Sequence, residues 1–236
     1  MFDLLIVFTV YRVRMFDLII FDCDGTLVDS EYFNNSVTCN LLAERGLQQY
    51  TIDYAMTHFV GLKFSEILKK IHAETGHVFP KDFGKIYMRR IQETMADHIK
   101  PVEGIKEAVV CAGHHAKLAV VSNGGHQNVL DSIKLAGLST YFADGHNVVT
   151  GLMADKPKPA PDLFLLVAQN LDVDPSRALV IEDSVQGVQG AKAAGMTCWG
   201  FIGTAHDPVG ASESLKKAGA DQIIDKLIHI CTMLGS

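Results

Sequence analysis

Three short apolar runs, each breaking off into a cluster of polar residues, constrain this chain more than anything else in it. Phe16–Phe21 (FDLIIF) ends on Asp22-Cys23-Asp24-Gly25-Thr26, Leu118–Val121 (LAVV) on Ser122-Asn123-Gly124-Gly125, and Ala178–Ile181 (ALVI) on Glu182-Asp183-Ser184. Short runs rich in branched residues read as strands buried on both faces. Thr197–Ile202 and Gln222–Ile224 are weaker runs of the same kind, and helical patterns lie between them: Gly104–Ala112, Gln127–Ala136, Pro161–Asn170, Ser184–Ala194 and Ser212–Ala218. This alternation predicts an α/β fold, a Rossmann-like parallel sheet with helices on both faces. The carboxyl ends of parallel strands share one edge, where open α/β sheets bind ligands. Three polar clusters far apart in sequence are therefore expected to converge on one site.

One stretch breaks the alternation. From about Tyr32 to His98 the sequence shows amphipathic helical patterns (Val37–Glu44, Ser65–Glu74, Asp82–Met95) and no strand. The expected organisation is a core domain over 15–30 and 99–236, interrupted by an all-helical domain over 31–98.

The strand ends carry the chemistry. Asp22 and Asp24 are two residues apart, so on an extended strand they face the same way. Crowded carboxylates repel, and a divalent cation relieves the repulsion. Glu182 and Asp183 add carboxylates at the same edge, and an oxygen-rich set without histidine favours Mg²⁺ over Zn²⁺. The competing reading is that these aspartates merely cap the adjoining turns or helices. Gly25 permits a tight turn close to a ligand. Thr26 and Ser122 offer hydroxyls, Asn123 an amide and Gly124 an exposed backbone N–H, a set that suits phosphate oxygens. Lys158, on the proline-stiffened Lys156-Pro157-Lys158-Pro159-Ala160-Pro161-Asp162 segment, supplies a fixed positive charge for a phosphoryl group.

These motifs, in this order and spacing over Met15 to Cys231, resemble the haloacid dehalogenase superfamily, and within it the β-phosphoglucomutase-like phosphatases with a helical cap. The resemblance implies that Asp22 is the nucleophile and forms an aspartyl-phosphate, and that Asp24 is the general acid and then the general base. It implies that Mg²⁺ is held by an Asp22 oxygen, the Asp24 main-chain carbonyl and Asp183, with Glu182 direct or one step removed, and that Ser122 and Lys158 hold the transferring group. The helical segment falls where this branch carries its cap, and Phe59–Ser65 resembles its substrate-contacting loop, with Gly61 and Lys63 as candidate contacts. The mutases of this branch carry a histidine twelve residues after the nucleophile; Asn34 stands there in this chain. That favours hydrolysis of a sugar or sugar-acid phosphate over a mutase reaction, and the intact Asp22/Asp24 pair speaks against a non-catalytic sensor.

The chain of 236 residues carries a net charge of −6 and no dense Lys/Arg stretch, which argues against a nucleic-acid surface. An anionic substrate must then be met by local charge. Five cysteines with no CxxC pair read as reduced thiols in a cytoplasmic protein. The apolar run Leu4–Val10 is too short to span a membrane. Met1–Arg14 is expected to be an extension ahead of a functional start at Met15, and the protein is expected to act as a monomer. Cys23, pointing away from Asp22 and Asp24, is expected to be a core residue; the glycines of Gln186–Ala194 are expected to serve close helix–sheet packing.

Overall fold

The computed structural model describes residues 15–60, 62, 64–142 and 145–235. The expected N-terminal extension, Gly61 and Lys63 lie outside them. The chain opens with β1 (Leu18–Phe21) and β2 (Val28–Asp29), then runs through α1 (Glu31–Ala43), α2 (Ile52–His58), α3 (Phe64–Thr75) and α4 (Phe83–His98) to β3 (Lys100–Pro101). From there α5 (Ile105–His115), β4 (Lys117–Ser122), α6 (His126–Leu135), β5 (Val148–Thr150) and α7 (Asp162–Asn170) precede β6 (Ala178–Glu182), α8 (Val185–Ala193), β7 (Thr197–Phe201), α9 (Pro208–Ala218), β8 (Gln222–Ile224) and α10 (His229–Met233).

Six strands form one parallel sheet in the order β5-β4-β1-β6-β7-β8. From β1 the chain steps to β4 and β5, then crosses back to β6 and winds outward to β8. That reversal beside β1 makes the crevice at the carboxyl ends of β1, β4 and β6. The central stretches of the inner strands are apolar because both faces are covered. Ile19, Phe21, Val120 and Ile181 pack with α5, α6 and α10; Leu18, Ile20, Val121 and Val180 pack with α7, α8 and α9. Phe16 meets Trp199 edge-on at 6.2 Å, so Trp199 is a packing residue.

Local sequence stops and starts the helices around the crevice. Ser184 caps α8, its side chain accepting from the Gly187 N–H; Asp207 caps α9 in the same way at Gly210, with Pro208 in the first turn. At the other end of α9, Gly219 adopts φ 108°, a left-handed conformation that glycine tolerates best. α8 lies close on the sheet side because of its small residues: a Cβ at Gly190 would press on Phe164 and on the Ala160 carbonyl.

α1 to α4 form a helical unit whose chain enters and leaves through β2 and β3, paired antiparallel as Val28↔Pro101 and Asp29↔Lys100. α1, α2 and α3 share a cluster of their own (Leu42, Tyr50, Phe59, Ile67, Ile71). The inner faces of α1 and α4 (Phe33, Val37, Leu41; Phe83, Ile91, Met95) belong to the cluster that covers one face of the sheet. No helix among the described residues is long and apolar enough to cross a membrane.

Candidate active site

The three polar clusters do meet. Lys158 ties them together from a buried position: its Nζ donates to Asp22 Oδ1 at 2.6 Å, to Glu182 Oε2 at 2.7 Å and to the Val121 carbonyl at 2.8 Å. An ammonium has three hydrogens, and each reaches a different strand end. Asn123 clamps the lysine's main chain, its Oδ1 accepting from the Lys158 N–H at 2.9 Å and its Nδ2 donating to the Lys158 carbonyl at 3.2 Å. The Asn123 amide thus positions the lysine. Phe164 lies under the ammonium, with its ring centroid 5.2 Å away.

Glu182 is 1% exposed and both of its oxygens are engaged, Oε2 by Lys158 and Oε1 by the hydroxyl and N–H of Ser184 at 2.8 and 3.1 Å. A Cβ at Gly187 would fall on this carboxylate, so only glycine leaves it room. Asp24 accepts from the Ser30 hydroxyl at 2.7 Å. A Cβ at Gly124 would lie 3.1 Å from Ser122 Oγ and 3.5 Å from Asp24 Oδ2, which puts the second cluster against the first. The third also abuts the first: at Gly25, with φ +83°, a Cβ would fall on the Asp183 carboxylate. Thr204, after β7, donates to the Gly25 carbonyl at 2.7 Å.

The remaining candidates sit less openly. Ser122 is buried, and its Oγ accepts from the Gly124 N–H at 2.9 Å. Thr26 is fully buried and its Oγ1 has no protein partner. Cys23 is buried in the core, where burial, followed by the Asp24 and Asp22 charges, pushes its thiol well above the ordinary range. It is no thiolate.

Charge is unbalanced at this edge. The carboxylates of Asp22, Asp24, Glu182 and Asp183 face the Lys158 ammonium. Burial raises the Asp22 pKa to about 8, with Glu182 adding to the rise and Lys158 opposing it. Burial and then the Asp22 charge hold Asp183 well above the carboxylate range. Asp24 is exposed, but loss of solvent around its carboxyl in the cleft also raises it, against the pull of the Ser30 hydrogen bond and Lys158. Burial would lower the Lys158 pKa, but the Asp22 and Glu182 carboxylates outweigh it and hold the ammonium charged. One lysine cannot neutralise such a set. The donor chemistry fits a hard divalent cation: Asp22, Glu182 and Asp183 offer oxygens that all lie within 4.8 Å of one another, with no nitrogen or sulfur among them. Because Glu182 is committed to Lys158 and Ser184, Asp22 and Asp183 are the carboxylates with oxygen to spare.

A family model for haloacid dehalogenase-like hydrolases matches residues 19–201. The chain belongs to this family. Among curated relatives, fructose-1-phosphate phosphatase YqaB of Escherichia coli is 31% identical over 180 residues, which cover 75% of this chain and 92% of that protein. The chloroplastic protein Suppressor of quenching 1 of Arabidopsis thaliana is 29% identical over 224 residues; they cover 90% of this chain but 20% of that much longer protein. The solved structure of a conserved haloacid dehalogenase-like protein of unknown function from Agrobacterium tumefaciens superposes with a TM-score of 0.80 at 32% identity, covering 93% of this chain and 97% of the other. This haloacid dehalogenase-like hydrolase gathers its acidic strand ends at one edge of the sheet, around the buried Lys158.

The sequence carried no signal for Ser30 or Thr204, which support this edge, or for Tyr87, Asn128 and Ser132, which line a cavity beside Asp24. Of the two glycines expected to serve close helix–sheet packing, Gly190 does so, whereas Gly187 makes room for the Glu182 carboxylate.

Proposed function

We propose that this protein is a Mg²⁺-dependent phosphatase that hydrolyses a small phosphorylated metabolite, a sugar or sugar-acid phosphate, through an aspartyl-phosphate on Asp22. The observation that carries the reading is the buried Lys158, which grips Asp22 and Glu182 at once. It fixes the direction of one carboxylate and places a positive charge where a phosphoryl group would be transferred. The phosphatase named among the relatives supports the same chemistry.

In the first step an Asp22 oxygen attacks phosphorus and the bond from phosphorus to the ester oxygen breaks. Asp24 gives its proton to that departing oxygen, which leaves as an alcohol. In the second step water attacks the phosphorus of the aspartyl-phosphate, Asp24 takes a proton from it, and Asp22 is released with inorganic phosphate. A raised pKa suits Asp24 to hold a proton for the first step. Lys158 orients Asp22 and offsets phosphoryl charge; Ser122 is positioned to donate its hydroxyl hydrogen. Asp22, Asp183 and the Asp24 main-chain carbonyl would hold Mg²⁺, which when bound would neutralise charge on the carboxylates and on the phosphoryl oxygens. The helical unit would act as a cap that excludes water and reads the leaving group, with Gly61 and Lys63 as candidate substrate contacts. Asn34 lines the cavity beside Asp24, and its amide cannot exchange a proton, which supports transfer to water over transfer to a second hydroxyl.

Phosphate release from a panel of phosphorylated metabolites, with Mg²⁺ and with EDTA, tests this. Release that needs Mg²⁺ and vanishes in Asp22→Asn supports the proposal; undiminished release by the variant would refute it.

A further inference from the structure

Beside Asp24, between the helical unit and the sheet, lies a cavity of about 150 Å³. Asn34 and Tyr87 face it from α1 and α4, Asn128 and Ser132 from α6, and Ile91 and Met95 give it an apolar wall. It is the space next to the group that must protonate the leaving oxygen, so whatever the reaction releases starts there. The volume corresponds to roughly five water molecules at their share of the liquid.

The chemistry of the wall is uniform. Gln92 Nε2 donates to Asn128 Oδ1 at 3.1 Å, which joins α4 to α6 and leaves the Asn128 amide hydrogens for a ligand. Tyr87 is held by stacking on Phe64, with centroids 4.0 Å apart and planes at 10°. Burial, and after it the Asp24 charge, push its phenol up to about 12 against the opposing Thr38 hydrogen bond, so the phenol keeps its proton. Asn34 adds an amide, and Ser132 a buried hydroxyl that also bonds the Cys23 thiol. Every polar group here except Asp24 is neutral, and among the described residues no lysine or arginine lines the cavity. A leaving group with its own carboxylate or second phosphate would lose water against these described groups with no cation among them to meet it. A polyhydroxylated group both donates and accepts, which is what amides, a phenol and a hydroxyl match. Sites built to bond hydroxyls discriminate strongly, because an unmatched ligand leaves buried polar groups unpaired.

We propose that this cavity is the leaving-group subsite and that it selects phosphates of small neutral polyols or sugars over those of sugar acids, with Tyr87 and Asn128 reading the hydroxyls. The inference rests on the phosphatase reading above and narrows it.

The test is kcat/KM for pairs of substrates that differ in one terminal group: sorbitol 6-phosphate against 6-phosphogluconate, and glycerol 3-phosphate against 3-phosphoglycerate. Wild type should favour the neutral member at least tenfold in both pairs. Asn128→Lys should shrink or invert that ratio, and Tyr87→Phe should lower the ratio of sorbitol 6-phosphate to propyl phosphate several-fold. Equal or better use of the carboxylated members by wild type would overturn the selectivity, even if neither variant folds. Ratios that stay within twofold in folded variants would overturn the roles of Tyr87 and Asn128. No release from any substrate, with Mg²⁺ present, would instead overturn the phosphatase reading itself.

Discussion

The two walls of the cleft are built on opposite principles. On the sheet side the groups are ionisable and mostly buried: Lys158 is fixed by short hydrogen bonds to Asp22, to Glu182 and to the Val121 carbonyl, and Asp183 lies beside them. On the helical side, Tyr87, Met88 and Asn34 present neutral dipoles and soft apolar surface from two helices. In the proposed reaction the first wall holds the chemistry: its charges have to sit within tenths of an ångström, and a parallel sheet does that by bringing strand ends to one edge. The second would meet the part of a substrate that does not react, and helices docked through a thin ribbon can vary there without disturbing the first.

Removing Lys158 should expose the difference most sharply. Lys158→Met leaves the Asp22 and Glu182 carboxylates buried without their partner, which costs about 3–5 kcal/mol of stability. It should also lower kcat by about a hundredfold or more, through lost charge stabilisation. Thermal unfolding and steady-state kinetics check both; a variant as stable and active as wild type would break the claim that the lysine organises this wall.

The surplus of negative charge produces a smaller effect. The Asp22 pKa of about 8 in the metal-free fold lies above the ordinary value of 3.8, so the fold binds that proton more tightly than the unfolded chain does. Its contribution to stability is fully present below the unfolded pKa and is lost as pH rises through the folded one. Mg²⁺ requires the ionised carboxylate and displaces the proton. The rise in melting temperature on adding Mg²⁺ should therefore grow from pH 5 to pH 8, as scanning fluorimetry would show. An increment independent of pH would mean that the cation does not meet these carboxylates.

The smallest effect belongs to the helical unit away from the cleft. Tyr50 is buried, and its hydroxyl donates to Glu74 Oε2 at 2.8 Å, a carboxylate that Lys70 also binds at 2.9 Å. Tyr50→Phe should cost about 1 kcal/mol, because Glu74 keeps its lysine, and kcat/KM should stay within twofold. A tenfold loss would mean that the packing of this unit is coupled to the chemistry more tightly than its separate apolar cluster implies.

The same contrast explains how much the sequence disclosed. FDLIIF, LAVV and ALVI stand out because a strand covered on both faces must be apolar at every position, and the residues just past its end must be polar if they reach the working edge. β6 and β8 begin where the pattern places them, and Lys158 meets the carboxylates at the edge to which the clusters point. Val148–Thr150 went unread, and so did the Val28–Asp29/Lys100–Pro101 ribbon, because two-residue strands make no pattern. Tyr87 and Asn128 were illegible for a different reason. Which face of an amphipathic helix meets a cavity depends on how helices dock, and tyrosine or asparagine at such a place looks like any half-exposed helix residue. The roles of Asn123 and Glu182 were half legible: position along the chain put them at the site, but only the fold shows one clamping the lysine main chain and the other gripping its ammonium.

The central claim is that Asp22 carries the phosphoryl group. Acid-quenching the enzyme during turnover of a radiolabelled sugar phosphate with Mg²⁺, and then mapping the peptides, tests it most directly. The account predicts label on the peptide that contains Asp22, discharged by hydroxylamine as expected of an acyl phosphate and absent in Asp22→Asn. Turnover without any labelled peptide, or with label on another residue, would contradict it.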